Sequence, residues 1–176
     1  RLVTVSKRPR ASKETNTHEG NEMPTLTLMA GAAGSGKGWV RENNIELAAL
    51  PVVDSDDIKK EHPDFDPKQP ELIHEWSSVE ATRRFYGKLA AGLSFIFDGT
   101  GTNAEKYVSM TNEAHRAGFD VTVVYVKVTL ATSLARNAER ERTVPEYVVR
   151  EQHSLLPVAI QIIRDAADNF RTIKND

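Results

Sequence analysis

The 176 residues are one domain's length, which excludes an array of independent modules. Hydrophobic residues make up 39% and charged residues 27%, enough to fold around a core, and 23 basic against 25 acidic residues exclude a strongly basic coat protein while leaving room for a local basic cleft. With no cysteine there is no disulfide, thiol nucleophile or cysteine-bound zinc, and no apolar run nears the roughly 20 residues of a membrane span, so a cytoplasmic location without a membrane partner is the expectation.

Residues 1–24 read as a disordered or linker leader. Arg1, Lys7, Arg8, Arg10 and Lys13 come first, then a polar stretch from Glu14 to Glu22, a composition that cannot build a core. A basic arm for an anionic partner is the competing reading. A chain that opens on Arg1, with Met23 just ahead of the first strand, is compatible with a piece of a longer polypeptide whose amino-terminal domain is missing.

From residue 25 to 176 short apolar runs alternate with amphipathic ones. Leu26 to Ala30, between Pro24 and Gly31, predicts a strand, and Lys37 to Ala49 a helix. Pro51 to Asp54 predicts a second strand. A long helical segment with Trp76, Val79, Phe85 and Leu89 then leads to a third strand, Ser94 to Asp98. A helix from Ala104 to Ala117 stops at Gly118, and the most β-branched run, Val121 to Val128, predicts a central strand. Leu130, Leu134 and Ala138 mark a helix, Pro157 is expected to start a new one, and Phe170 to Lys174 predicts the last strand. Strands alternating with helices predict an α/β fold in three layers, with a five-stranded parallel sheet covered on both faces. In such sheets ligands bind beyond the carboxyl ends of the strands.

The first strand runs straight into Gly31, Ala32, Ala33, Gly34, Ser35, Gly36, Lys37 and Gly38, which match G-x-x-x-x-G-K at the glycines and the lysine. Glycines let backbone amides converge on phosphate oxygens, the next helix adds its positive end, and Lys37 supplies a cation for the β- and γ-phosphates. Gly38 stands where a Ser or Thr hydroxyl ordinarily reaches Mg²⁺, so water in its place, weakened catalysis and a binding-only protein all stay open. At the second strand's end, Asp54, Ser55, Asp56 and Asp57 supply more carboxylates than a helix cap needs. Asp56 is the candidate to take the proton of an attacking hydroxyl, and Asp54 or Asp57 the candidate cap, against a purely structural cluster. Asp98 is the candidate metal residue, and Gly99 to Thr102, with Thr100 among them, a small-residue opening for substrate; a plain turn competes. Lys59 and Lys60, one turn beyond Asp56, could bind either a nucleic-acid phosphate or the diphosphate of a sugar nucleotide and do not discriminate between them. Arg136, Arg140 and Arg142 cluster where a lid would neutralise a transferring phosphoryl group, with Arg136 and Arg142 preferred, against a solvated helix face. The five histidines lack zinc spacing, and Trp39 and Trp76 are expected in or near the core, with Trp76 alternatively lining a cleft.

These segments resemble the zeta-toxin-like P-loop kinases and the related phage polynucleotide kinases over most of residues 25–176. The resemblance rests on GAAGSGKG at 31–38, VVDSDDI at 52–58, HPDFD at 62–66, FDGTG at 97–101, AGFDVTVVYV at 117–126 and RERTVP at 140–145. It implies ATP with Mg²⁺ and transfer of the γ-phosphoryl group to a substrate hydroxyl. By it Lys37 is the phosphate lysine, Asp56 the base, and Arg136 and Arg142 the arginines near the transferring group. Asp98 replaces a Glu common in the toxins. The implied acceptor is a UDP-amino-sugar or similar nucleotide, or alternatively a polynucleotide 5′-hydroxyl or a hydroxymethylated base in phage DNA. A catalytically weak nucleotide-binding module is the third reading.

Overall fold

The computed structural model describes the backbone of residues 3–7 and the whole of residues 22–176. Five strands run parallel: β2 (Thr25–Ala30), β3 (Val52–Asp54), β4 (Phe95–Asp98), β5 (Asp120–Lys127) and β6 (Asn169–Lys174). A sixth, β1 (Val3–Lys7), lies antiparallel against β6, giving the order β1-β6-β5-β2-β4-β3. The sheet is therefore the predicted parallel one with one added edge strand. Part of the expected disordered leader is corrected by it, because β6 offers an open edge along which the backbone of residues 3–7 pairs. The rest of that expectation lies largely outside the described residues.

β2 sits between β4 and β5, so its carboxyl end opens at the middle of the sheet. Side chains alternate between the two faces of each strand. Leu26 and Leu28 of β2, Phe95 and Phe97 of β4, and Val121 and Val123 of β5 join one core with α3 (His74–Ala91), α4 (Ala104–Arg116) and α6 (Glu146–Ala166). Met29, Ile96, Val124 and Val126 face the other way, onto Val40 of α1 (Lys37–Asn43) and Leu47. Two further helices, α2 (Ser55–Lys59) and α5 (Leu130–Ala138), follow β3 and β5 directly, and a short 3₁₀ turn, Pro70–Ile73, leads into α3.

Three local expectations change. The helix after the phosphate loop ends at Asn43, and residues 45–49 continue as turns. Pro157 lies inside α6 rather than at a helix start. It lacks the N–H for one intrahelical bond, but Val149, Leu156, Ala159, Ile160 and Ile163 are all buried on the same helix, and that continuous apolar face outweighs the loss. The tryptophans are half exposed, Trp39 at 43% and Trp76 at 38%, so neither is a core residue. Trp76 meets His62 edge to face, with ring centroids 4.7 Å apart.

Phe85 of α3 makes edge-to-face contacts with Phe95 and Phe97, with centroids at 5.8 and 6.2 Å, and is the aromatic joint between this helix and β4. Phe85→Ala is expected to lower the unfolding free energy by about 3–5 kcal/mol, read from urea denaturation.

Candidate active site

The phosphate loop follows β2, and glycine is needed there for conformation as well as for space. Gly34 and Gly36 have φ of 78° and 84°, in the left-handed region. A Cβ at Gly34 would stand 2.5 Å from the Ser133 carbonyl, and one at Gly36 2.5 Å from Asn175 Nδ2. The loop is also tied down from four directions. Gly31 N–H donates to the Thr100 carbonyl (2.9 Å), and Ala33 N–H to Oε1 of Gln152 on α6 (2.9 Å). The buried Asn175 donates from Nδ2 to the Ser35 carbonyl (2.9 Å). Arg136 donates from Nη2 to the Asn175 carbonyl (2.7 Å), with Nη1 3.5 Å from the Gly34 carbonyl. Arg136 thus lies against the loop, held there by two backbone carbonyls.

Inside the cleft Lys37 Nζ donates to the Gly31 carbonyl at 2.8 Å. Burial lowers its pKa, against the opposing pull of Asp98 and Asp54. Those two carboxylates end neighbouring parallel strands and are register partners across β3 and β4. Arg41, one turn along α1 from Lys37, places Nη1 3.2 Å from Asp98 Oδ2 and 3.9 Å from Asp54 Oδ2. Burial raises Asp98 despite both cations. Burial and the Asp98 charge raise Asp54 to about 6 from 3.8. Asp54 also caps α2, its Oδ1 accepting from the Asp56 N–H at 2.9 Å, which settles which of the candidate carboxylates is the cap.

Asp56 is left to point outward. Its Oδ1 lies 3.4 Å from Nζ of the buried Lys59 and 3.5 Å from Nη2 of Arg142. Burial acts to raise the Asp56 carboxyl, but Lys59 and Arg142 outweigh it and the pKa is lowered. Arg140 contributes its charge to both Lys37 and Asp56. Segments 86 residues apart in sequence therefore meet at one carboxylate. Thr100 lies beside the loop, its Oγ1 2.9 Å from Thr102 Oγ1 and its carbonyl on Gly31.

The residues present do not fit a divalent ion ligated by the protein. Gly38 offers no hydroxyl, although a Cβ there would meet nothing within 4 Å, and Asp98 already faces a guanidinium. Among the described residues no group of three or more His, Cys, Asp or Glu could hold a metal.

A family model described as an AAA domain matches residues 26–157. The chain belongs to that family. No curated protein sequence matches it. Among solved structures it resembles the PezAT toxin–antitoxin system of Streptococcus pneumoniae, at 11% identity and a TM-score of 0.69, over 92% of this chain and 72% of that one. It resembles AvrRxo1-ORF1:ORF2 with ATP at 19% identity and a TM-score of 0.69, over 86% of this chain and 55% of that one. Likeness to the Pnkp1/Rnl/Hen1 RNA repair complex stands at 19% identity and a TM-score of 0.67, over 85% of this chain and 48% of that one. The chain thus spans about half the length of the last two. The fold is that of the P-loop kinases, as the family resemblance of the sequence implies. No described helix is long and apolar enough to cross a membrane.

Arg41, Gln152 and Asn175 escaped the sequence reading. Arg41 was legible in principle, since its i, i+4 spacing from Lys37 puts both on one helical face. Gln152 and Asn175 reach the loop across 119 and 140 residues, with no local signal.

Asp54 makes stability depend on pH. The folded state binds its proton more tightly than the unfolded chain, so its contribution is full below about 4 and is lost as pH rises through about 6. Asp54→Asn keeps a cap oxygen and removes the like charge. Its melting temperature relative to the parent is expected to climb across that interval and to stay higher at neutral pH; a difference independent of pH would contradict this.

Proposed function

We propose that the chain is an ATP-dependent kinase that passes the γ-phosphoryl group of ATP, taken as its magnesium complex, to a hydroxyl of a UDP-amino-sugar or similar nucleotide. The observation that carries this reading is Asp56, kept ionised at the cleft by Lys59 and Arg142 and standing at the carboxyl end of the sheet near the phosphate loop. A cluster serving only as a helix cap would need Asp54 alone.

In this reading the loop amides and Lys37 hold the nucleotide's phosphates. Asp56 accepts the hydrogen bond of the acceptor hydroxyl, and its proton as the new O–P bond forms. Phosphoryl transfer passes through a loose transition state, so the attacking oxygen loses its proton late and a carboxylate with a lowered pKa serves by aiming the hydroxyl more than by abstracting its proton. Arg136 and Arg142, with Arg140 close by, neutralise the charge that spreads over the transferred group. Lys59, buried beneath Asp56, supports it electrostatically, and Thr100, beside the loop, is assigned to the acceptor side.

A second acceptor class, the 5′-hydroxyl of a polynucleotide, is supported by the structural likeness to the complex containing Pnkp1. Purified protein offered ATP with UDP-amino-sugars, 5′-hydroxyl oligonucleotides and hydroxymethylated DNA, with transfer of labelled phosphate as the readout, separates the classes. Phosphate on the sugar nucleotide supports the first. Phosphate only on an oligonucleotide replaces it with the second, and ATP binding without transfer replaces both with a nucleotide-binding module. Asp56→Asn is expected to lower kcat about 10²–10⁴-fold while ATP affinity, measured by calorimetry, stays near that of the parent. Unchanged kcat would remove Asp56 from its role.

A further inference from the structure

Four ionisable side chains crowd behind the phosphate loop: Lys37 and Arg41 from one face of α1, Asp54 and Asp98 from the paired ends of β3 and β4. The kinase reading uses Lys37. It gives no task to Arg41, which is nearly buried, with 14% of its side chain exposed against 6% for Asp98. Its Nη1 is fully buried and has no hydrogen-bond partner among the described residues, so it meets Asp98 as a charge at 3.2 Å rather than as an aligned donor. A guanidinium keeps its charge at any pH the protein meets. One turn earlier, Gly38 leaves out the hydroxyl of the loop's usual pattern although the space for a side chain is open.

These two departures are complementary. A divalent ion in such a loop is ordinarily held between the hydroxyl that follows the lysine and an acid at a strand end. Here the hydroxyl is missing and the acid carries a resident cation. An ion bound directly to Asp98 would have to expel Arg41 from its carboxylate or sit against a positive charge, and either is unfavourable in a site shielded from water.

We infer that Arg41 is a built-in cation at the position a protein-ligated divalent metal would take, neutralising Asp98 and Asp54, so that a divalent ion enters this site only on the phosphates of the nucleotide. Arg41 is thus a positioning residue that sets the metal requirement. The inference rests on the loop being a nucleotide site and goes beyond it in saying which charges the protein itself supplies there.

Mn²⁺, a spectroscopic stand-in for Mg²⁺, tests it on the full chain without catalysis. The parent protein alone is expected to bind Mn²⁺ weakly by electron paramagnetic resonance titration. Arg41→Gln should bind it at least roughly tenfold more tightly, and Asp98→Asn added to that variant should reverse the gain. Arg41→Lys, which keeps the charge, should behave like the parent. Gly38→Ser, which fits without a clash, should gain little while Arg41 is present, and this holds the inference to account even if Arg41→Gln does not fold. Equal Mn²⁺ affinity in the parent and Arg41→Gln, or a tenfold gain from Gly38→Ser alone, would overturn it. Calorimetry with a non-hydrolysable ATP analogue, with Mg²⁺ and in chelator, distinguishes the two levels. The parent's affinity should depend weakly on metal, and that of Arg41→Gln strongly. If the analogue binds under neither condition the nucleotide reading falls, while the Mn²⁺ comparison still decides the role of Arg41.

Discussion

A buried cluster of two carboxylates and two cations holds this protein's site together. Asp54 and Asp98 are forced side by side because they are register partners at the ends of parallel strands, and two such charges in a dry cleft repel. Lys37 and Arg41 answer them from a single helical face, leaving the four formal charges balanced. Balance in number is not ideal solvation, since Asp54 and Asp98 are both raised and Lys37 lowered, each first by its own burial. A site under that electrostatic load is prepared for a polyanion, because phosphate oxygens bring negative charge to Lys37 while loop amides share the desolvation.

The sheet order carries this arrangement. With β2 between β4 and β5, the phosphate loop leaves the middle of the sheet and has Asp98 on one side and the β5–α5 connection on the other. Thr100, Gln152, Asn175 and Arg136 then fix the loop from separate elements, so its shape does not depend on its own sequence alone. Most of these ties end on backbone carbonyls or amides, which constrain geometry without placing further charge in the cleft. The outward side is built differently. There Asp56 is exposed and Lys59, itself buried, supports it from beneath, while Arg142 comes from the segment between α5 and α6.

Much of the fold was legible because its signals are local. The apolar runs around Leu26 to Ala30, Ser94 to Asp98 and Val121 to Val128 lie within a residue or two of the strands that form, since a strand buried on both faces needs nothing but apolar residues of the right length. Pro157 misled because a proline's local cost is visible while the buried face that offsets it is assembled from three helices and a sheet. Val3 to Lys7 were hidden among basic and polar neighbours, and their pairing depends on β6, more than 160 residues away. Trp39 and Trp76 were misplaced for a related reason, as residue type states a preference for burial and the helix's orientation decides it.

By itself the sequence determined the parallel α/β sheet, the glycine-rich loop with Lys37, and the missing hydroxyl at Gly38, because each is a matter of residue type at short spacing. Only the tertiary structure decided that Asp54 caps a helix while Asp56 faces Arg142, and that Arg41 fills the space before Asp98. The physical reason is that a charge's role depends on what lies within a few ångströms of it, and in this chain those neighbours arrive from strands and loops tens of residues apart.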